Sequence, residues 1–508
     1  MDRIHRKSAL RQTSELILAA GGRGEGLLWE RYEKQLPLCA FTANGLNCRS
    51  CFQGPCRINP FGDEPARGVC GADRDQIVME NLFNATLAGV LETARAASAA
   101  GADGGLPDIG TDLPPALRKS LSGKGMLPLS GTQLFGLRNS FFSHRAYLAD
   151  TLENLTRMGL IHYGFLKAGQ AAAAKAQAAA TAPGAARILC LGRTPAGFAA
   201  ALKKAAGKEK VLLLGQAGRI DPAAALADQG TPEFALQMGL DALVVAPDAA
   251  FPAIDALAAK AGLPVILLES PKTPAQAADE AVRLALSHRQ SAGADRAPLE
   301  TGPEPAALAG KAKALQKAFA EGRVRGVAVL FGEATVKEAF FERTLALTEA
   351  CLSERCLVLL GGEIGAQKGP LTAELLRRGS DAGKTFAAKI KKDGLEAVGA
   401  FGSAFELPSV VGFVRALAPR KEAGELPVLF AFPEFHRTST WAAAVSLMAL
   451  GFTVQIGMRL PFWGAPELTR SLLETWPQLT GATLLAAPGL TDPAAQARQI
   501  VELIKSRA

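Results

Sequence analysis

The chain has 508 residues, 48% of them hydrophobic, and 56 basic against 48 acidic residues give a net charge of +8. That length exceeds what one core supports and predicts about three domains. Basic residues form no long runs and aromatics are 6% of the chain, so a nucleic-acid face is not expected; no apolar run is long enough for a membrane span.

The N-terminal text "MDRIHRKSALRQTSELILAAGGRGEG" lacks a signal-peptide core, and a cytoplasmic location is expected. The glycine-rich GGRGEG follows no strand and is not read as a phosphate site. Five of the eight cysteines then fall between Cys39 and Cys70 with the spacing C-x8-C-x2-C-x4-C-x13-C. In a reducing compartment such a block reads as a metal site and not as a disulfide framework. C-x2-C brings Cys48 and Cys51 to one cluster from a single turn. Gly54 and Pro55 re-aim the chain so that Cys56 adds a third thiolate, and Cys70 returns from a short loop with the fourth. Four thiolates fit a [4Fe–4S] cluster. A four-cysteine zinc site is the competing reading, although zinc ribbons usually pair two C-x2-C turns and only one is present here. Cys39 is left over, as a further ligand, a ligand to a different cluster, or a small half-buried residue.

Two helical segments follow. "DQIVMENLFNATLAGVLETARAASAA", from Asp75, and "SHRAYLADTLENLTRMGLIHYGFLKAG" repeat apolar residues at three- and four-residue spacing. Alanine extends the second to about Ala180, where "APG" breaks it. After Ala186 the text changes to short aliphatic runs separated by helices: "ARILCLG", "KVLLLG", "DALVVAP" and "LPVILLES". After a linker over 291–310 come "VRGVAVLFG", "CLVLLGG", "LEAVGAFGS", "LPVLFAF" and "FTVQIG". Continuous apolar strands alternating with helices predict parallel sheets covered on both faces. The expected fold is therefore α+β and multidomain: a helical iron–sulfur domain over 1–185, then two doubly wound, Rossmann-like α/β domains over 186–305 and 306–508.

The block "CAFTANGLNCRSCFQGPCRI…GVCGADRD" resembles the N-terminal block of the anaerobic nickel-iron carbon monoxide dehydrogenases, "C…GxCCRxCxxGPCRI…GxCGA". "FPEFHRTSTWAAAVSLMALGFTVQIGMRLPFWGAPELTRSLL" is similar to that family's C-terminal segment, and the chain looks like a shortened member. The resemblance implies that Cys48, Cys51, Cys56 and Cys70 hold the relay [4Fe–4S] cluster. In the family the first of two adjacent cysteines joins the upstream one to hold a cluster shared across a dimer. Here that position is Asn47, so Cys39 lacks its partner in an intersubunit site.

The family's nickel–iron–sulfur active site, held by one histidine and five cysteines, is not matched. The corresponding positions read Ala249, Glu333, Glu363 and Ala404, and "LGRTPAG" and "LLGQAGR" contain neither a histidine nor a cysteine. Cys190, Cys351 and Cys356 read as buried small residues, and three cysteines do not supply five ligands, which argues against an ordinary carbon monoxide dehydrogenase. Nickel is therefore not expected. Glu333 and Glu363, each after a strand ending in glycine, are the catalytic candidates. They would bind a hard cation in a rebuilt site that reduces a small molecule, as in hydroxylamine reductases, or cap the following helix, or face solvent. Glu434 and His436, in "FPEFHRTS", are weaker candidates. The expected role is electron transfer or that of a partner subunit, in a homodimer or a heterodimer with a related subunit, served by a redox partner such as a ferredoxin.

Overall fold

The computed structural model describes residues 7–22, 27–61, 63–99, 102, 105–113, 115–141, 148–173, 185–191, 197–214, 240–246, 258–259, 262–268, 272–292, 311–401, 404–417, 421, 423–486 and 492–507. The first part of the chain is helical, dominated by the long helices Arg74–Ala99 and Leu148–Ala173. A short antiparallel hairpin precedes them, β1 (Asn47–Cys48) with β2 (Cys56–Arg57). The extension expected towards Ala180 lies outside the described residues beyond Ala173.

Two parallel sheets follow. β3 (Ala186–Leu191), β4 (Val211–Leu214), β5 (Ala242–Val245) and β6 (Val265–Leu267) form one, ordered β4-β3-β5-β6. The second runs β12-β11-β10-β7-β8-β9. It contains β7 (Gly326–Gly332), β8 (Cys356–Gly362), β9 (Val398–Ala400), β10 (Val428–Phe432), β11 (Val454–Ile456) and β12 (Leu484–Ala486). All its neighbouring strands are parallel. Every residue of β7, β8 and β10 is buried, as continuous apolar strands covered on both faces require. Strand order reverses between β7 and β10, which is where a doubly wound sheet opens a crevice at its carboxyl edge.

Packing joins the N-terminal helices to this second sheet. Their buried side chains, Phe83, Val90, Leu155 and Ile161 among them, belong to the same core as β7, β8 and β10. The middle sheet has a core of its own, built from Ile188, Val244, Ile266 and the helix Pro274–Ala292. The helix Thr438–Ala449 makes the joint. Its residues from Thr440 to Ala449 are all buried, and its small side chains admit close neighbours. Trp441 Nε1 donates to Thr86 Oγ1 at 2.8 Å. His162 bridges Thr93 (Nε2, 2.9 Å) and Ser446 (Nδ1, 2.6 Å), and burial pushes its imidazole down to about 3, so it is neutral. His162 thus has a structural place in the core.

Gly89 marks the closest crossing: a Cβ there would lie 2.1 Å from the Thr438 carbonyl oxygen. Gly89→Ala therefore forces two helix backbones apart. Overpacking costs about 1–3 kcal/mol, or more where backbone must move, against about 1 kcal/mol gained in helix propensity. A lower urea midpoint for the variant is expected, and an unchanged or higher one would contradict this packing.

Candidate functional site

The cysteine lobe is built around the hairpin. Pairing places Cys48 directly opposite Cys56, so both thiols project from one face. Cys51 lies in the connection, and Gly54 passes the Cys48 carbonyl so closely that a Cβ would sit 3.4 Å from it. The segment carrying Cys70 folds back through two turns: Gly68 N–H donates to the Ala72 carbonyl at 2.8 Å, and Gly71 N–H to the Gly68 carbonyl at 2.9 Å. Gly71 has φ +88, a conformation that favours glycine.

All four cysteines line one small cavity, partly open to solvent, whose other walls are Gly54, Gly68, Val69 and Ile77. Cys48 is buried, Cys56 half-buried, and Cys51 and Cys70 exposed. Val69 N–H donates to Cys56 Sγ at 3.5 Å, the kind of amide contact that tunes cluster sulfurs. Among the described residues no three or more His, Cys, Asp or Glu side chains are grouped to hold a single metal ion. The four cysteines line a shared space instead, and four thiolates are the donor set of a cubane cluster.

Cys39 lies outside this ring. It is exposed and precedes the one-turn helix Ala40–Ala43. Hydrogen bonds from Thr42, first from its side chain and then from its backbone, hold the Cys39 thiol below its usual range. Asn47 Nδ2 donates to the same Thr42 hydroxyl at 3.4 Å, so Thr42 stands between the two. Anaerobic iodoacetamide labelling of cluster-loaded protein is expected to modify Cys39 first and to spare Cys190, Cys351 and Cys356. Burial raises those three thiols, Cys356 up to about 12. Mass mapping reads the outcome; an unlabelled Cys39 would contradict its exposure.

Large apolar side chains gather here as well. Of the ten large hydrophobics exposed among the described residues, five lie between Leu36 and Val69: Leu36, Leu38, Phe52, Phe61 and Val69.

The second candidate is at the carboxyl edge of the six-stranded sheet. Gly332 and Gly362 are register partners at the ends of β7 and β8, so Glu333 and Glu363 follow side by side. Both glycines are required. A Cβ on Gly332 would lie 2.1 Å from the Glu434 carbonyl oxygen; Gly362 has φ +69, and its Cβ would lie 2.8 Å from the Gly332 carbonyl oxygen. Both glutamates are buried, at 3% and 2% exposure, which removes solvent exposure as their explanation. Glu363 opens the one-turn helix Glu363–Ala366, whereas the next helix after Glu333 begins only at Glu342. Thr440 Oγ1 donates to Glu333 Oε1, and the Ala334 N–H bonds the Glu363 carboxylate. Oε2 of each glutamate is buried without a hydrogen-bond partner.

Burial raises the Glu363 carboxyl well above its usual range; the Glu333 charge adds to this and Arg437 opposes it. Neighbouring strands lie about 4.8 Å apart.

Glu434 has a different task. Its Oε2 accepts from Phe341 N–H at 3.1 Å and its Oε1 from Thr344 Oγ1 at 3.0 Å, so it caps the helix Glu342–Ser353. Phe341 sits at φ +63, a strained conformation for a bulky residue that these bonds help to hold. Burial pushes the Glu434 carboxyl up to about 8. This cap was not legible in the sequence, because residues 341 and 434 meet only through the sheet. His436 is exposed and donates from Nδ1 to the Ala334 carbonyl at 3.0 Å, which fixes its tautomer.

Of the other positions singled out in the sequence, Ala404 lies in the turn Ala404–Glu406 after β9, while Ala249 lies outside the described residues. Cys351 is in the helix Glu342–Ser353, and Cys190 is inside β3. Cys356 opens β8 at the end opposite Glu363, roughly 20 Å away along the strand. The described residues therefore bring no cysteine to this edge.

Residues 46–108 match the Prismane/CO dehydrogenase family, a span that holds four of the five clustered cysteines. Carbon monoxide dehydrogenase 2 of Carboxydothermus hydrogenoformans is 47% identical over 83 residues, 16% of this chain and 13% of that protein. The carbon monoxide dehydrogenase of Rhodospirillum rubrum is 50% identical over 76 residues, 15% of this chain and 12% of that protein. The matched stretch is thus a small part of these relatives' length. Solved structures extend the likeness as fold alone. Nickel-free carbon monoxide dehydrogenase from Thermococcus sp. AM4 has a TM-score of 0.79 at 18% identity, covering 99% of this chain and 97% of that one. Carbon monoxide dehydrogenase IV of C. hydrogenoformans has a TM-score of 0.79 at 19% identity, covering 99% of each. The chain thus carries a Prismane/CO dehydrogenase segment over residues 46–108 and shares the fold of carbon monoxide dehydrogenases along its length.

Proposed function

We propose that the chain is an iron–sulfur redox protein on a carbon monoxide dehydrogenase scaffold, an electron-transfer or partner subunit that does not oxidise carbon monoxide. The observation that carries this reading is the single cavity lined by Cys48, Cys51, Cys56 and Cys70. These four thiolates hold a [4Fe–4S] cluster, whose chemistry is one-electron transfer. Val69 N–H donates to the Cys56 sulfur and Ile77 walls off water. Cys51 and Cys70, at the exposed side, bring the cluster within reach of a redox partner such as a ferredoxin.

Carboxylates, with no described thiol, at the ends of β7 and β8 support the absence of a nickel site, because nickel–iron–sulfur chemistry needs soft ligands. The exposed apolar side chains from Leu36 to Val69 are proposed as the face that meets a second subunit, identical or related. The reading places the chain in the cytoplasm; among the described residues no helix is long and apolar enough to cross a membrane. Electron paramagnetic resonance of dithionite-reduced protein tests the relay. A reduced-cluster signal integrating to about one spin per chain is expected, and a protein with no such signal would overturn the reading.

A further inference from the structure

We infer that Glu333 and Glu363 together hold one proton at neutral pH, forming a buried carboxylic acid–carboxylate pair at the carboxyl edge of the six-stranded sheet. The register Gly332–Gly362 places them side by side, and the edge is the one where doubly wound sheets bind ligands. Each has one oxygen already served, Glu333 by the Thr440 hydroxyl and Glu363 by the Ala334 N–H. Each keeps one buried oxygen without a partner. A single proton held by the pair removes one of two neighbouring buried charges.

The surrounding charges agree. Arg437, from the segment after β10, acts on Glu363 as the local cation, so two carboxylates with one proton leave the group neutral. Glu434, from the same segment, is engaged by Phe341 and Thr344. His436 is exposed and tied to the Ala334 carbonyl. Glu338 is paired with Arg343 at 2.6 Å, and Lys368, on the helix after Glu363, is paired with Glu396 at 2.7 Å. A divalent cation fits less well. It would lie beside Arg437, and no third described ligand joins the pair. This inference is independent of the cluster, and loss of either leaves the other standing.

The sign of the pH effect follows from proton counting. The folded chain keeps a proton that the unfolded chain releases above the ordinary carboxylate range, about 4.3. Stability is therefore highest below that range and falls as pH rises towards the pair's folded value. Glu434 adds a second proton of the same sign. His162 acts only below its ordinary value, and the buried cysteines only above about 8.5, so about pH 6.5 to 8 isolates the glutamates.

Urea unfolding of the full chain over that window tests the pair. Each proton retained lowers the folding constant by up to about tenfold per pH unit. Glu363→Gln is expected to remove one proton's share of the slope, together with one protonated-carboxyl band in the infrared spectrum. An unchanged slope and band in this variant would overturn the inference. So would a stoichiometric divalent cation whose chelation lowers the native midpoint. Should the variant not fold, the native spectrum decides: two protonated carboxyls at neutral pH are expected, from the pair and Glu434, and one or none refutes the pair.

Discussion

Replacing Cys56 with alanine is expected to drop the iron held by anaerobically purified protein from about four atoms per chain to near zero. Cys56 faces Cys48 across the hairpin, accepts the Val69 amide and lines the shared cavity, which Cys39, Cys190, Cys351 and Cys356 do not. A cubane missing one of four thiolates loses its closed coordination. Cys39→Ala and Cys190→Ala serve as controls and should leave the iron content unchanged, because neither residue lines the cavity. Inductively coupled plasma analysis with a protein assay reads all three. Full iron retention in Cys56→Ala would place the cluster elsewhere.

Trp476→Ala is expected to destabilise the fold by about 3–5 kcal/mol. Trp476 is the largest fully buried side chain described, and its Nε1 donates to Thr156 Oγ1 at 3.0 Å on the Leu148–Ala173 helix. Thr156 Oγ1 also donates to the Leu152 carbonyl at 2.8 Å and stays satisfied when the indole is removed. The cavity, not an orphaned hydroxyl, thus sets the cost. Because the N-terminal helices share a core with the second sheet, cluster absorbance and helical circular dichroism should be lost together, at a lower urea midpoint. Separate transitions would show that the joint is weaker than its packing implies.

The strands were legible because continuous aliphatic runs ending in glycine or proline have few other interpretations. β12, Leu484–Ala486, was not among the runs read from the sequence. Cysteine spacing pointed to a shared metal site, and the structure brings Cys48, Cys51, Cys56 and Cys70 to one cavity. What the sequence could not convey is adjacency between distant segments. It divides the chain into three units, yet the first and third share one core, through contacts such as Trp441 to Thr86 that no local pattern encodes. Glu333 and Glu363 were singled out by position after a strand. Their burial, their missing partners and their shared register depend on how β7 pairs with β8, which a single sequence does not state.

Metal analysis of protein purified without air, read alongside a carbon monoxide oxidation assay, tests the central claim most directly. About four iron atoms per chain, no nickel and no carbon monoxide-dependent dye reduction are predicted. Stoichiometric nickel with carbon monoxide oxidation, or zinc in place of iron, would contradict it.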